Sequence, residues 1–141
     1  MADYGAIRQA IADRLELVTA TQFLTVHAAV PASVVAPAAV VVPARPVAEY
    51  HESMTGTGGS LTVFRFDIVA MLQSAAEPFV QADLDALISG AGSVPAVLEA
   101  DPTLDGNADA VQVTQATDYG AVGFADTEYI GVRFSLEVYA R

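Results

Sequence analysis

His27 and His51 are the only imidazoles in the chain, and His51 is followed directly by Glu52 and Ser53. A Ser/His/acid triad needs its three groups to converge in space, whereas neighbours on an extended chain point to opposite sides. No catalytic residue is expected from that run, and both histidines read as edge or surface positions. Asp105, Asn107 and Asp109 stand at alternate positions, like the first ligands of a calcium loop, with Asp101 nearby. The match fails further on: Ala110 stands where that loop needs glycine and Ala116 where it needs a bidentate glutamate. A solvated acidic turn is the expectation, with no metal and no cofactor. Gly56, Gly58 and Gly59 could suggest a phosphate cradle, but no lysine exists to follow them and no helix pattern opens there. They read as the tip of a loop.

The remaining charged candidates lie on strands. Arg65 and Asp67 share one side of an alternating segment, as do Arg133 and Glu137 in another that ends at Arg141. Two readings fit such residues. They form cross-strand ion pairs worth about 0.5 kcal/mol each, or they meet a neighbouring subunit.

The elements that position them are written in hydrophobic periodicity. Ile130, Val132, Phe134, Leu136, Val138 and Ala140 alternate with Gly131, Arg133, Ser135, Glu137, Tyr139 and Arg141, the pattern of a strand with one covered face. Between Leu61 and Gln73, Phe64, Phe66, Ile68, Ala70 and Leu72 form the wholly apolar side of what should be a central strand. Asp3 can cap a helix whose stripe is Tyr4, Ile7, Ile11 and Leu15. The segment Phe23 to His27 is extended. Pro37 and Pro43 bound a short strand, Ala38 to Val42, suited to an edge or to a change of direction. Residues 50–60 are too rich in glycine and hydroxyl groups to be strand throughout, and a mobile hairpin loop is expected there.

A helix is expected over Glu77 to Ser89, with Pro78 in its first turn, Val80, Leu84, Leu87 and Ile88 as its buried stripe and Gly90 as its stop. Ser93 caps a shorter helix through Val97 and Leu98, which Asp101-Pro102 should end. Asp105-Gly106-Asn107 is a turn, Val111 and Val113 begin another strand, and residues 116–126 read as loop. The order of helix, strands, helix and strands predicts an α+β fold, a mostly antiparallel sheet with helices packed on one face.

Composition limits the function classes. A chain of 141 residues is long enough for one domain, spanning 1–141, with a real core. It is 53% hydrophobic and 16% charged, against roughly 25% charged in an average soluble domain. That excess of small apolar side chains points to surfaces covered by other copies, and so to an oligomer. All six basic residues are arginine, against seventeen acids, for a formal net charge of -11. So acidic a chain is repelled by phosphate backbones, which disfavours specific nucleic-acid binding but allows a passage through which DNA slides. No cysteine is present to form disulfides or thiolate metal sites. Charged residues interrupt any N-terminal signal pattern, and the uncharged run Ala28 to Ala44 is broken by Pro31, Pro37 and Pro43, so no membrane span is expected.

Taken in order, the N-terminal helix, Pro37-Ala-Ala-Val-Val-Val42, Tyr50 with its glycine-bearing loop, Phe64-Arg-Phe-Asp-Ile-Val69, Leu84-Asp-Ala-Leu87 and Leu104-Asp-Gly106 resemble the tail terminator proteins of long-tailed bacteriophages, especially the actinobacteriophage-like ones whose hosts have G- and C-rich genomes. The resemblance spans nearly the whole chain and rests on order and spacing. It implies a structural, non-enzymatic virion protein at the tail-neck junction, present in the host cytoplasm during assembly. The family forms a hexameric ring that caps the tail tube, ends its polymerisation and joins it to head-tail connector or neck proteins, with DNA passing through the lumen. Under this resemblance Tyr50, Met54, Thr57, Arg65, Asp67, Arg133, Glu137 and Arg141 are the expected subunit or tube contacts. The alternatives are another neck component, such as a head-closure or head-to-tail adaptor protein, and a small ligand-binding α+β domain with a pocket on the uncovered sheet face.

Overall fold

In the computed structural model, residues 3–19, 23, 25–55, 59–74 and 81–141 are described, and they form an α+β fold around one mostly antiparallel six-stranded sheet. In chain order the elements are α1 (Tyr4–Leu15), β1 (Thr25–His27), β2 (Ala38–Thr55), β3 (Gly59–Ser74), α2 (Gln81–Ile88), α3 (Val94–Glu99), β4 (Ala110–Thr117), β5 (Val122–Phe124) and β6 (Thr127–Ala140). The strand order is β1-β2-β3-β6-β4, with β5 continuing the β4 side of β6. Among the described strands only the β1–β2 pair is parallel. No described helix is long and apolar enough to cross a membrane.

The core follows the alternation. Phe64, Phe66, Ile68 and Ala70 of β3 join Ile130, Val132, Phe134, Leu136, Val138 and Ala140 of β6 in one buried cluster. Ile7, Ile11 and Leu15 of α1, Leu84 and Leu87 of α2, and Val94, Val97 and Leu98 of α3 belong to the same cluster. The ring of Tyr4 stacks on Phe66 at 5.0 Å between centroids and meets Phe64 edge-on at 5.4 Å. Burial raises the Tyr4 phenol above its ordinary pKa, with the Arg8 charge pulling the other way. On the opposite sheet face, Ala38, Val40, Val69, Met71 and Val122 make a smaller cluster, flanked by Val34, Val42, Phe124 and Tyr129.

The helix ends are built from the expected chemistry. Asp3 accepts from the backbone N–H groups of Gly5 and Ala6 at 2.9 and 3.3 Å. Ser93 accepts from Ala96 at the start of α3. Gly90, at φ +104, takes the chain out of α2 through a conformation other residues rarely adopt. Arg14 Nε and Nη2 donate to the carbonyl of Val97 at 3.2 and 2.7 Å, tying α1 to the last turn of α3, where carbonyls lack intrahelical partners.

Four expectations need correction or completion. The segment Ala38 to Val42 opens a strand that continues to Thr55, not a short isolated one. Its ladder with β3 shifts register between Pro43 and Ala48, so Pro46, which cannot donate, lies within the shift and Pro43, opposite Phe66, at its border. Beyond Val40, where β1 ends, no described strand lies on the outer side of β2, which is the position proline tolerates. Residues 116–126 are not all loop, because β4 runs to Thr117 and β5 forms a hairpin with β6 through Ala125 and Asp126, both at positive φ.

The second helix is described from Gln81 to Ile88, and Glu77, Pro78 and Val80 lie outside the described residues. Residues 50–60 hold two paired strands up to Thr55 and from Gly59, while the expected mobile tip at 56–58 lies outside the described residues.

Gly131 fixes how β3 and β6 meet. A Cβ built there would lie 2.0 Å from the carbonyl oxygen of Ala70 and 3.1 Å from Cα of Met71, both backbone atoms. The β3–β6 register shifts just beyond, between Met71 and Gln73. A side chain at 131 would push the two central strands apart. Gly131→Ala is therefore expected to lower unfolding stability by about 1–3 kcal/mol in a urea titration, whereas Gly123→Ala, where no atom lies within 4 Å of the added carbon, should change it far less.

Candidate functional site

The second face of the sheet carries the charged residues singled out by sequence. Arg65 on β3 stands directly opposite Glu137 on β6 and next but one to Val63, the β3 residue that faces Glu49 of β2. Its Nη1 donates to Glu49 Oε1 at 2.6 Å, while Nε and Nη2 reach Glu137 Oε2 at 3.0 and 2.9 Å. One guanidinium thus joins three strands. Burial works against the Arg65 charge, but the Glu49 and Glu137 carboxylates more than offset it and raise its pKa. Two strand positions along, Arg133 Nε donates to Asp67 Oδ2 at 2.9 Å. Tyr139 Oη donates to the other Glu137 oxygen at 3.2 Å.

These groups are half-buried, with side-chain exposures from 16% for Asp67 to 41% for Glu49, so the pairs are shielded more than open surface contacts are. Every charge in the set has a partner, with two guanidinium groups, Arg65 and Arg133, against three carboxylates, Glu49, Asp67 and Glu137, so one negative charge is left in excess. A hollow of about 360 Å³ opens beside them, with Arg45, Arg65, Asp67, Gln115, Ser135 and Glu137 in its lining. It can offer donors and acceptors to a polar group.

Arg65, Asp67, Arg133 and Glu137 are therefore brought together. Arg141 is not part of this set and pairs with Asp109 at 3.5 Å beyond the end of β6. Tyr50 lies on β2 with 64% of its surface exposed. Of Met54 only the backbone is described, paired with Ser60, and Thr57 lies outside the described residues. Sequence reasoning missed Glu49, Arg45 and Gln115. Glu49 lies between the short strand expected at Ala38 to Val42 and the loop expected at 50–60, among residues given no element, and only a β2 continuing past Pro46 brings it to Arg65.

The other chemical candidates have local explanations. Asp101 accepts from Asp105 N at 2.9 Å and Thr103 Oγ1 at 3.1 Å, and Asn107 Nδ2 donates to the Leu104 carbonyl at 2.8 Å. With Asp109 on Arg141, these groups organise the turn into β4. Among the described residues no three acidic or histidine side chains gather as a metal site. His27 lies on β1, while the His51, Glu52 and Ser53 side chains lie outside the described set. Tyr119 Oη donates to Asp85 Oδ1 at 2.6 Å, and that hydrogen bond raises its pKa. A second hollow of about 410 Å³ lies between α1 and the 101–107 turn, lined in part by Asp13, Leu17, Leu104 and Asp105.

Removing Arg65 leaves two carboxylates facing each other across β3. Arg65→Met is expected to cost about 1–2 kcal/mol in chemical unfolding, between the ranges for exposed and buried pairs. Adding Glu137→Met to it should recover part of the loss, and a strictly additive double variant would show that the two groups do not act as a pair. No protein-family model and no curated protein matches the chain, so the reading of this face rests on its own geometry.

Proposed function

We propose that the chain is a structural, non-enzymatic subunit of a hexameric ring that caps the tail tube of a long-tailed bacteriophage, ends tube polymerisation and joins the tail to the neck. The observation that carries this reading is the arm formed by β2 and β3. β6 pairs with β3 only as far as Thr62, opposite Ala140, whereas β2 and β3 continue together through Ser53 with Leu61, Met54 with Ser60 and Thr55 with Gly59. A two-stranded ribbon in water is marginal by itself. An arm of this kind, with exposed Tyr50 near its base, gains stability by lying on a neighbouring subunit or on the last ring of the tube.

Two further features support the reading. The ion-paired face offers Arg65, Asp67, Arg133 and Glu137 as contacts in which each charge already has a partner, so a neighbour can cover them without stranding an unpaired group. The net charge of -11 disfavours capture of DNA in a lumen. The hollow beside Arg45 and Arg65 favours a second reading, a small-ligand domain that uses this face as a pocket.

The ring reading expects six-membered assemblies, formed in solution or on purified tail tubes, in native mass spectrometry or electron microscopy. A chain that stays monomeric even beside tubes would count decisively against it. Loss of the protein during phage assembly should give overlong tails; tails of normal length would instead mark a head-side neck component.

A further inference from the structure

The outermost described strands on the two sides of the sheet, β1 and β4, both lack charge in a strongly acidic chain. β4, Ala110–Thr117, contains no acidic or basic residue and is bounded by Asp109 and Asp118. At the opposite edge, β1 lies within a stretch from Leu17 to Ala44 that contains no Asp, Glu, Lys or Arg. Single edge strands are normally guarded by charge, proline or a cover, because their free N–H and C=O groups recruit other strands. Here the guards are few. Glu99 Oε2 accepts from Val113 N at 3.2 Å, and the ladder shifts between Val113 and Gln115, but Thr114–Thr117 beyond it is exposed. Leu17, Val30 and Val35, exposed by 54–66%, all belong to the uncharged stretch that contains β1.

Strand direction decides what fits. β1 runs with β2, and each step from β2 to β3, β6 and β4 reverses direction, so β1 and β4 run opposite ways. A second copy brought alongside in the same orientation presents its β1 antiparallel to β4, the slightly more stable mode of pairing. We infer that β4 of one subunit pairs with β1 of the next, head to tail, extending the sheet across the subunit boundary. The occupant of each edge is another copy of this chain. Charge argues for the same choice, since copies carrying -11 each repel, and these edges are where two copies can approach without opposing acids. A heterologous contact of this kind closes into a ring when its rotation allows. The inference rests on the ring reading and names the interface that builds it.

The absence of cysteine makes thiol cross-linking unambiguous. His27→Cys and Gln115→Cys would each be made alone and treated with a short bis-maleimide, separately, mixed, and as one double variant, both free in solution and on tail tubes. Head-to-tail pairing predicts no dimer from either single variant, dimer from the mixture and a ladder from the double variant. Dimer from Gln115→Cys alone would overturn it in favour of a two-fold β4–β4 contact. Rings visible by native mass spectrometry with no cross-link in the mixture would overturn this interface and leave the ring reading standing. Absence of both assembly and cross-link under all conditions would overturn both. A charge at the edge, Thr117→Lys, should weaken association about tenfold or more while leaving the thermal midpoint of the monomer unchanged; an unaltered association would also overturn the pairing.

Discussion

The antiparallel pairing of β3 with β6 is the constraint on which the other features depend. Side chains alternate strictly along a strand, so one register decides at once which residues of both strands enter the core and which face the other way. In the observed register Phe66 lies opposite Leu136 and Ile68 opposite Phe134 on the apolar side, and Arg65 lies opposite Glu137 on the polar side. A slip by one residue would bury guanidinium and carboxylate groups among phenylalanines. The close approach of Gly131 to the Ala70 carbonyl adds a steric lock near one end of the pair. The buried side chains of the helices join the same cluster as the even-numbered residues of both strands.

The same constraint shapes the electrostatics. With six arginines against seventeen acids, any arginine is a scarce resource. Three of them, Arg65, Arg133 and Arg141, are held by carboxylates, and Arg14 by a helix-terminal carbonyl. Arg65 and Arg133 sit on the half-buried face of the central strands, where an unbalanced acid would be most costly because water screens it least. The excess negative charge is left in turns and at helix surfaces, as in Asp101, Asp105, Asp118 and Asp126.

How far the sequence discloses this arrangement depends on the range of the interactions involved. The β3 and β6 alternations are legible because a period of two is a local property repeated over many residues. The Asp3 and Ser93 caps are legible because the donors and acceptors lie within three residues. β2 is not legible beyond Val42, since Pro43 and Pro46 read as breakers and only pairing with β3 on the far side of a register shift carries the strand through. β5 is three residues long and includes Gly123, so its extended form comes from β6 and not from its own propensity. The candidate site divides in the same way. Arg65, Asp67, Arg133 and Glu137 are visible as residues sharing a face, whereas Glu49 becomes a partner of Arg65 only once β2 is known to continue.

The low charge content has a place in this scheme as well as an average. Alternation cannot by itself keep the outermost strands β1 and β4 free of charge, because a solvent-facing strand position accepts any polar residue at little cost. Yet β4 uses Gln112, Thr114, Gln115 and Thr117 at its polar positions, with acids held just outside it, and the residues around β1 use only neutral ones. On the central strands, by contrast, charges are frequent and paired. A monomer would gain solubility from the reverse arrangement, with charge on the edges and none in the middle. A subunit whose sheet continues into its neighbour gains from the observed one: the middle strands pair their charges internally, and the outermost strands keep their backbone groups approachable. The projecting β2–β3 arm fits the same division of labour, since its outer pairs have no third strand within the described subunit.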